Sequence, residues 1–226
     1  TSASAVKSIW YRPELCPGHR PASCRVPRRN RIFWPELKAL AAISPTRMAE
    51  QDHAPQRIVL TGATGFIGTH LQHQLLASGH EVVAVVRPGS SRRANIFRGV
   101  ELRAIAFNDA TALRQLLENA DTVVHCAGAV RGRNLESFRP ANIEALENLV
   151  SAALAHKIAP RFILISSLAA SRPQVSDYAL SKHTGEQVLR NAEGLQWVIL
   201  RPPAVYGPGD TEMRPLFQSI RRGLAL

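Results

Sequence analysis

From Arg57 onward, apolar residues along the chain fall into two alternating rhythms. Short runs rich in β-branched residues read as buried strands, and apolar residues spaced three and four apart read as amphipathic helices. Ile58-Val59-Leu60 is the first run, and Phe66, Ile67, Leu71, Leu75 and Leu76 follow at helical spacing. Together they predict a strand at 58–60 and a helix over about 66–78, ended by Gly79. Further strands are predicted at 81–86, 100–105, 121–125, 161–166 and 197–200. The intervening helices fall at 111–119, 141–156 and 178–191, with a loop from Arg87 to Arg93. A last helix, 213–222, is closed by Gly223 as its C-cap, and Leu224 to Leu226 begin something further. Strands alternating with helices specify an α/β fold, a doubly wound parallel sheet with helices on both faces and right-handed crossovers.

Residues 1–47 keep neither rhythm. They hold nine Lys/Arg against Glu14 and Glu36, a cluster of four arginines between Arg25 and Arg31, and two of the three tryptophans. Met48 and a short polar stretch then precede the first strand. The expected organisation is a disordered leader over 1–47, foreign to the native protein, and a nucleotide-binding domain over 48–226. A transit peptide, Arg-rich and acid-poor, and a genuine basic arm are the other two readings of the leader.

The formal charge of +11 invites a nucleic-acid partner, but most of it belongs to the leader. From Met48 on the chain is mildly basic, which suits an anionic cofactor. No nucleic acid and no membrane partner is expected, since no apolar run approaches bilayer-spanning length. Cys16, Cys24 and Cys126 make no even disulfide framework and fit no metal-site spacing. They point to a reducing, cytoplasmic compartment, with Cys126 a buried thiol.

The chemistry concentrates at the turn after the first strand, Thr61-Gly62-Ala63-Thr64-Gly65-Phe66-Ile67-Gly68. A strand, a glycine turn and a helix form the first half of a Rossmann-type dinucleotide-binding unit. Gly62 permits the tight turn, Gly65 lets a pyrophosphate approach the backbone, and Gly68 lets helix and strand pack closely. The helix N-terminus supplies amide donors and the positive end of its dipole.

A second constellation is Tyr178-Ala179-Leu180-Ser181-Lys182, a phenol and an ammonium four apart on one helix face. A free phenol is a poor base at neutral pH, and a positioned ammonium favours its phenolate. The pair alone also fits a solvated helix surface. Ser166-Ser167, ending an apolar strand about ten residues upstream, adds a hydroxyl able to hold a substrate oxygen.

Glycine turn, strand-end serine and Y-x-x-x-K, in this order over residues 57 to about 223, resemble the extended short-chain dehydrogenase/reductase superfamily, its NAD-dependent epimerase/dehydratase branch. The resemblance implies that Ser167 rather than Ser166 is the catalytic serine, Tyr178 the acid/base, and Lys182 the lysine that also binds the nicotinamide ribose. Gly62, Thr64, Gly65, Phe66, Ile67 and Gly68 would then line the cofactor. Val124-His125-Cys126-Ala127-Gly128 resembles the turn under the cofactor, with Ala127 and Gly128 as contacts and His125 structural. Asn142 matches an asparagine that braces the active-site helix, and Asp109 an acidic residue contacting the adenine. Asp109 also reads as a helix N-cap.

Strand two ends in Arg87, with no acid nearby, which favours NADP over NAD because a 2′-phosphate needs arginine where a 2′-hydroxyl takes a carboxylate. Arg92 and Arg93 read as solvated loop charge. Arg201-Pro202-Pro203-Ala204-Val205-Tyr206-Gly207-Pro208-Gly209 resembles the segment beside nicotinamide and substrate, contributing Pro202 and Val205. Many nucleotide-sugar members carry Asn where Ala204 stands. The substrate-binding region would begin at about 204 and be largely missing, because members of this superfamily continue well beyond the equivalent of Leu226. Arg131 and Arg133 are candidates for meeting an acidic substrate, or surface charge. The implied activity is NAD(P)-dependent hydride transfer at a hydroxyl or carbonyl carbon of a small molecule. A nucleotide-sugar epimerase/dehydratase and a non-catalytic NAD(P)-binding protein are the alternatives, and a homodimer is open.

Overall fold

The computed structural model describes residues 54–91 and 95–223. The expectations for the leader, for Met48, for Arg92 and Arg93 and for Leu224 to Leu226 lie outside the described residues. Six strands form one parallel sheet: β1 (Arg57–Thr61), β2 (Glu81–Val86), β3 (Glu101–Ala104), β4 (Thr122–His125), β5 (Arg161–Ile165) and β6 (Trp197–Leu200), in the order β3-β2-β1-β4-β5-β6. Reversal of strand order at β1 and β4 opens the crevice in which doubly wound sheets bind ligands. Thr61 pairs with Val85 on one side and His125 on the other, so three strand ends meet there in register.

Alternation along each strand divides the core. Val59, Val83, Val123, Phe162 and Leu164 face α2 (Ala110–Leu117), α4 (Ala145–Leu154) and α5 (Asp177–Arg190), whose Leu113, Leu117, Leu146, Leu149 and Leu189 are buried against them. Ile58, Leu60, Val82, Ala84 and Val124 face the other way, toward Leu71, Leu75 and Leu76 of α1 (Phe66–Ala77). α1 ends at Ser78, and Gly79 follows at φ +79, where its N–H and that of His80 satisfy the last carbonyls.

One element departs from expectation. The helix expected from 141 is part of a longer helical stretch, α3 (Leu135–Arg139), a π turn (Pro140–Glu144) and then α4. Asn134 caps α3 by accepting the Ser137 N–H at 3.1 Å. Proline lacks the N–H an α-helix needs at position 140, and the backbone widens there instead of stopping. α6 (Arg214–Arg221) closes the described chain.

Gly62 adopts φ +68, and a Cβ on it would stand 2.5 Å from the Ala127 nitrogen, so turn and β4 end meet backbone to backbone. A Cβ on Gly68 would collide with the Gly62 carbonyl oxygen, whereas one on Gly65 would lie 3.3 Å from it. Two distinct results are therefore expected. Gly68→Ala should destabilise by about 1–3 kcal/mol through overpacking, seen as a fall in melting temperature. Gly65→Ala should melt close to wild type and lose dinucleotide binding. Equal melting losses for the two would remove the distinction.

Candidate active site

The dinucleotide end is built by β1, its turn and α1. Gly65 is the N-cap of α1, no side chain caps this helix and no acid stands in its first turn. Its amide donors and positive dipole end are thus unneutralised, as a bound pyrophosphate would require. Thr64, Gly65, Phe66 and Thr69 form one wall of a cleft of about 330 Å³, closed by Asn95 to Phe97 and by Pro208 and Gly209. Gln72, fully buried, fastens the 95–97 loop to the turn. Its amide donates to the Ala63 carbonyl at 2.8 Å and its oxygen accepts the Phe97 N–H at 2.9 Å. Nothing in the sequence pattern distinguishes this glutamine from its polar neighbours on α1. None of the Ser167, Tyr178 and Lys182 set lines that cleft.

Those three residues stand instead where β5, α5 and the end of β4 converge. Ser167 follows β5 and caps a 3-10 turn (Leu168–Ser171), its hydroxyl accepting the Ala169 N–H at 3.2 Å. That turn packs under α5, where His183 Nδ1 lies 3.2 Å from the Ala170 carbonyl oxygen. Tyr178, in the first turn of α5, is half-buried with its ring 5.8 Å from that of Phe138. Lys182, one turn on and 8% exposed, donates from Nζ to the Ile165 carbonyl at 3.0 Å. A Cβ on Gly128 would lie 3.7 Å from the same Nζ, so the β4 end reaches the lysine.

Asn142, in the π turn, locks this corner. Its amide donates to the Ala129 carbonyl at 3.0 Å and to Ser181 Oγ at 2.9 Å, and its oxygen accepts the Ala129 N–H at 2.7 Å. Ser181 in turn donates to the Tyr178 carbonyl at 2.8 Å. The asparagine therefore braces the β4 loop and α5 at once.

The electrostatics are those of a buried cation. Burial pushes the Lys182 ammonium down to about 8, against the opposing pull of Cys126 and Glu186. Burial likewise pushes the Cys126 thiol up to about 12. His125, buried and 2.9 Å from Thr61 Oγ1, is pushed by burial and then by Lys182 down to about 3, so it is neutral at pH 7. Glu186 is the residue the sequence did not single out. It is fully buried, accepts Ser166 Oγ at 2.6 Å, and takes a two-pronged contact from Arg201 at 2.8 and 2.6 Å. The available signal was its spacing, four after Lys182 on the face that carries Ala179 and Leu189 into the core.

The other expected residues are spread around the strand ends. Arg87 is exposed just past β2, and Asp109 caps α2 by accepting the Ala112 N–H at 3.0 Å. Ala127 donates its N–H to Thr61 Oγ1 at 3.3 Å under the glycine turn. Pro202 accepts the Leu168 N–H at 2.9 Å, and Val205 is exposed beyond it. Arg131 is held by Glu212 at 2.8 Å and Arg133 is exposed, so neither meets the Tyr178 corner. Among the described residues no acid, His or Cys cluster is placed to hold a metal, and no helix is long and apolar enough to cross a membrane.

Known proteins resemble this chain in both sequence and fold. A ceramide reductase of Caulobacter vibrioides is 39% identical over 171 residues, 75% of this chain and 52% of that protein. A UDP-glucose 4-epimerase of Vibrio cholerae is 30% identical, covering 76% of this chain and 59% of its own length. Among solved structures, the UDP-glucuronic acid 4-epimerase of Bacillus cereus in complex with NAD is 26% identical with a TM-score of 0.62, over 74% of this chain and 64% of that one. The chain thus spans only about half to two thirds of the length of these three relatives. The NAD dependent epimerase/dehydratase family matches residues 58–225, and the chain, with its parallel Rossmann sheet and dinucleotide crevice, belongs to that family.

Proposed function

We propose that the protein is an NAD(P)-dependent oxidoreductase acting at a hydroxyl or carbonyl carbon, with Ser167, Tyr178 and Lys182 as its working side chains. The observation that carries the reading is the placement of Lys182. Its ammonium sits against the last carbonyl of β5 and beside Gly128, one helical turn from Tyr178 and two residues of backbone from Ser167. Buried yet charged at neutral pH, it stabilises negative charge developing on the phenol oxygen and donates to the ribose hydroxyls. Tyr178 gives or takes the proton on the substrate oxygen. Ser167 orients that oxygen once its hydroxyl turns from the Ala169 amide. The chemistry a bound nicotinamide would supply is hydride transfer, and these side chains would set position and field around it.

The reductase reading draws support from the ceramide reductase relative and from Ala204 in the Arg201–Gly209 segment. An epimerase or dehydratase is the second reading, favoured by the epimerases among the relatives. Screening the intact protein for change at the nicotinamide absorbance band against ketones, sterols and sugar nucleotides tests both. NAD that stays bound through purification, with no net change in the band, would favour the epimerase.

Arg87 is proposed to select NADP. It is exposed at the β2 end, and its side chain holds no ion pair among the described residues, leaving it available to a 2′-phosphate. Losing that charge-assisted contact costs roughly 1.5–3 kcal/mol. Arg87→Ala should therefore weaken NADP about ten- to a hundredfold and NAD little. Equal losses for both dinucleotides in a fluorescence titration would reject the assignment.

A further inference from the structure

Glu186 is a fully buried carboxylate with no part in the chemistry above, yet it joins every element that carries it. Ile165 and Ser166, adjacent at the end of β5, are each tied to α5: the Ile165 carbonyl accepts Lys182 Nζ at 3.0 Å, and Ser166 Oγ donates to Glu186 at 2.6 Å. Lys182 and Glu186 stand one helical turn apart, so these two bonds sew strand end to helix over two consecutive rungs. The β5–β6 pairing also runs past the strands, with Ser166 N–H on the Leu200 carbonyl at 2.8 Å and Leu168 N–H on the Pro202 carbonyl at 2.9 Å. Arg201 lies between those two rungs and clasps Glu186 with two nitrogens.

Ser167 is the residue enclosed by this arrangement. Its neighbours on both sides are pinned, Ser166 to Glu186 and to β6, Leu168 to Pro202. We propose that the Glu186–Arg201 pair is a positioning device that holds Ser167, the Lys182 ammonium and the segment after β6 in one frame. The inference rests on the Ser167, Tyr178 and Lys182 reading given above. Glu186 acts through those residues and touches no reacting atom.

Charge complements the geometry. Burial pushes the Glu186 carboxyl up, but hydrogen bonds from Arg201 and Ser166 and the charges of Arg201 and Arg190 outweigh it and hold the group ionised, below the usual carboxylate range. Around Lys182, His125 and Cys126 at the β4 end are neutral at pH 7, and the Ile165 carbonyl and the Gly128 backbone are uncharged. Glu186 is then the formal negative charge that acts on the ammonium at that pH.

The test is the pH dependence of NADPH binding to the whole chain, followed by nucleotide fluorescence. Wild type should lose affinity as pH rises through the lysine's range near 8. Glu186→Gln, checked by melting for a retained fold, should move that limb to lower pH by roughly half a unit or more. At pH 6, where Lys182 stays charged, its affinity should be within about threefold of wild type. Glu186→Asp keeps the charge and should keep the limb near its original position. Should Glu186→Gln fail to fold, the double variant Glu186→Gln/Arg201→Gln, which removes the clasping cation with the anion and leaves only the more exposed Arg190 without its partner, should move the limb in the same direction by a smaller amount. A wild-type limb that stays put in the folded charge-removing variant overturns the positioning role and leaves the Lys182 reading standing. Absence of any limb in wild type overturns both.

Discussion

Tyr178→Phe should lower turnover of the intact protein by roughly 10²–10⁴-fold, the usual contribution of general acid–base catalysis, while fold and cofactor affinity persist. The ring's packing is what phenylalanine retains. Tyr178 is half-buried and tilted against Phe138 at 59°, a contact made by ring carbons. Its bond to Ser181 runs through the backbone carbonyl and survives any side-chain change. Among the described residues no side chain or backbone group bonds the phenol oxygen, so deleting it orphans no buried partner. Melting temperature and NADPH titration should therefore match wild type, and steady-state turnover on the substrate found by screening should not. A Tyr178→Phe enzyme with full turnover would show that the tyrosine is structural and that another group handles the proton.

Most of the strands were legible as short apolar runs with β-branched residues, β3 only through the flanking Val100 and Ile105, and all six lie within two residues of their expected limits. The glycine turn was legible for a related reason: crowding at Gly62 and Gly68 leaves no room for another residue, and such constraints print themselves into sequence. The helical stretch from Leu135 was not, since Pro140 reads as a start and only the three-dimensional path shows the π turn that takes it up. The buried glutamate escaped for a different reason. A glutamate four residues after a lysine on a helix reads as an exposed ion pair, and the one local hint against that, its place on the face of Ala179 and Leu189, is outweighed by its charge. Arg201, which makes that burial tolerable, is fifteen residues away on another strand end. Local pattern carries strands, caps and turns, whereas a buried charge network is specified by pairs distant in sequence.

Lys182→Met should separate stability from function in the opposite sense. In the folded chain the ammonium is 8% exposed and burial lowers it from 10.5 to about 8, a displacement equivalent to roughly 3 kcal/mol against the charged form. Methionine fills similar volume without charge, and the lost bond to the Ile165 carbonyl returns part of the gain. The net expectation is a stabilisation of about 1–3 kcal/mol at pH 7. The same change removes the donor proposed for the ribose, so NADPH affinity should fall about ten- to a hundredfold, and turnover should fall with it. The pH dependence gives an independent sign. Below about 8 the lysine is charged in folded and unfolded chains alike and its burial penalty is fully present. As pH rises past 8 the folded chain releases this proton while the unfolded chain still binds it, so wild-type stability should climb. From 9.0 upward Cys126 opposes the climb, since an unfolded thiol ionises there while the folded one is held up to about 12. The window is therefore pH 8 to 9, where melts of wild type should rise relative to Lys182→Met. A variant that melts lower than wild type at pH 7, with no change in slope across that window, would mean that the buried ammonium stabilises the fold rather than being held there for the cofactor.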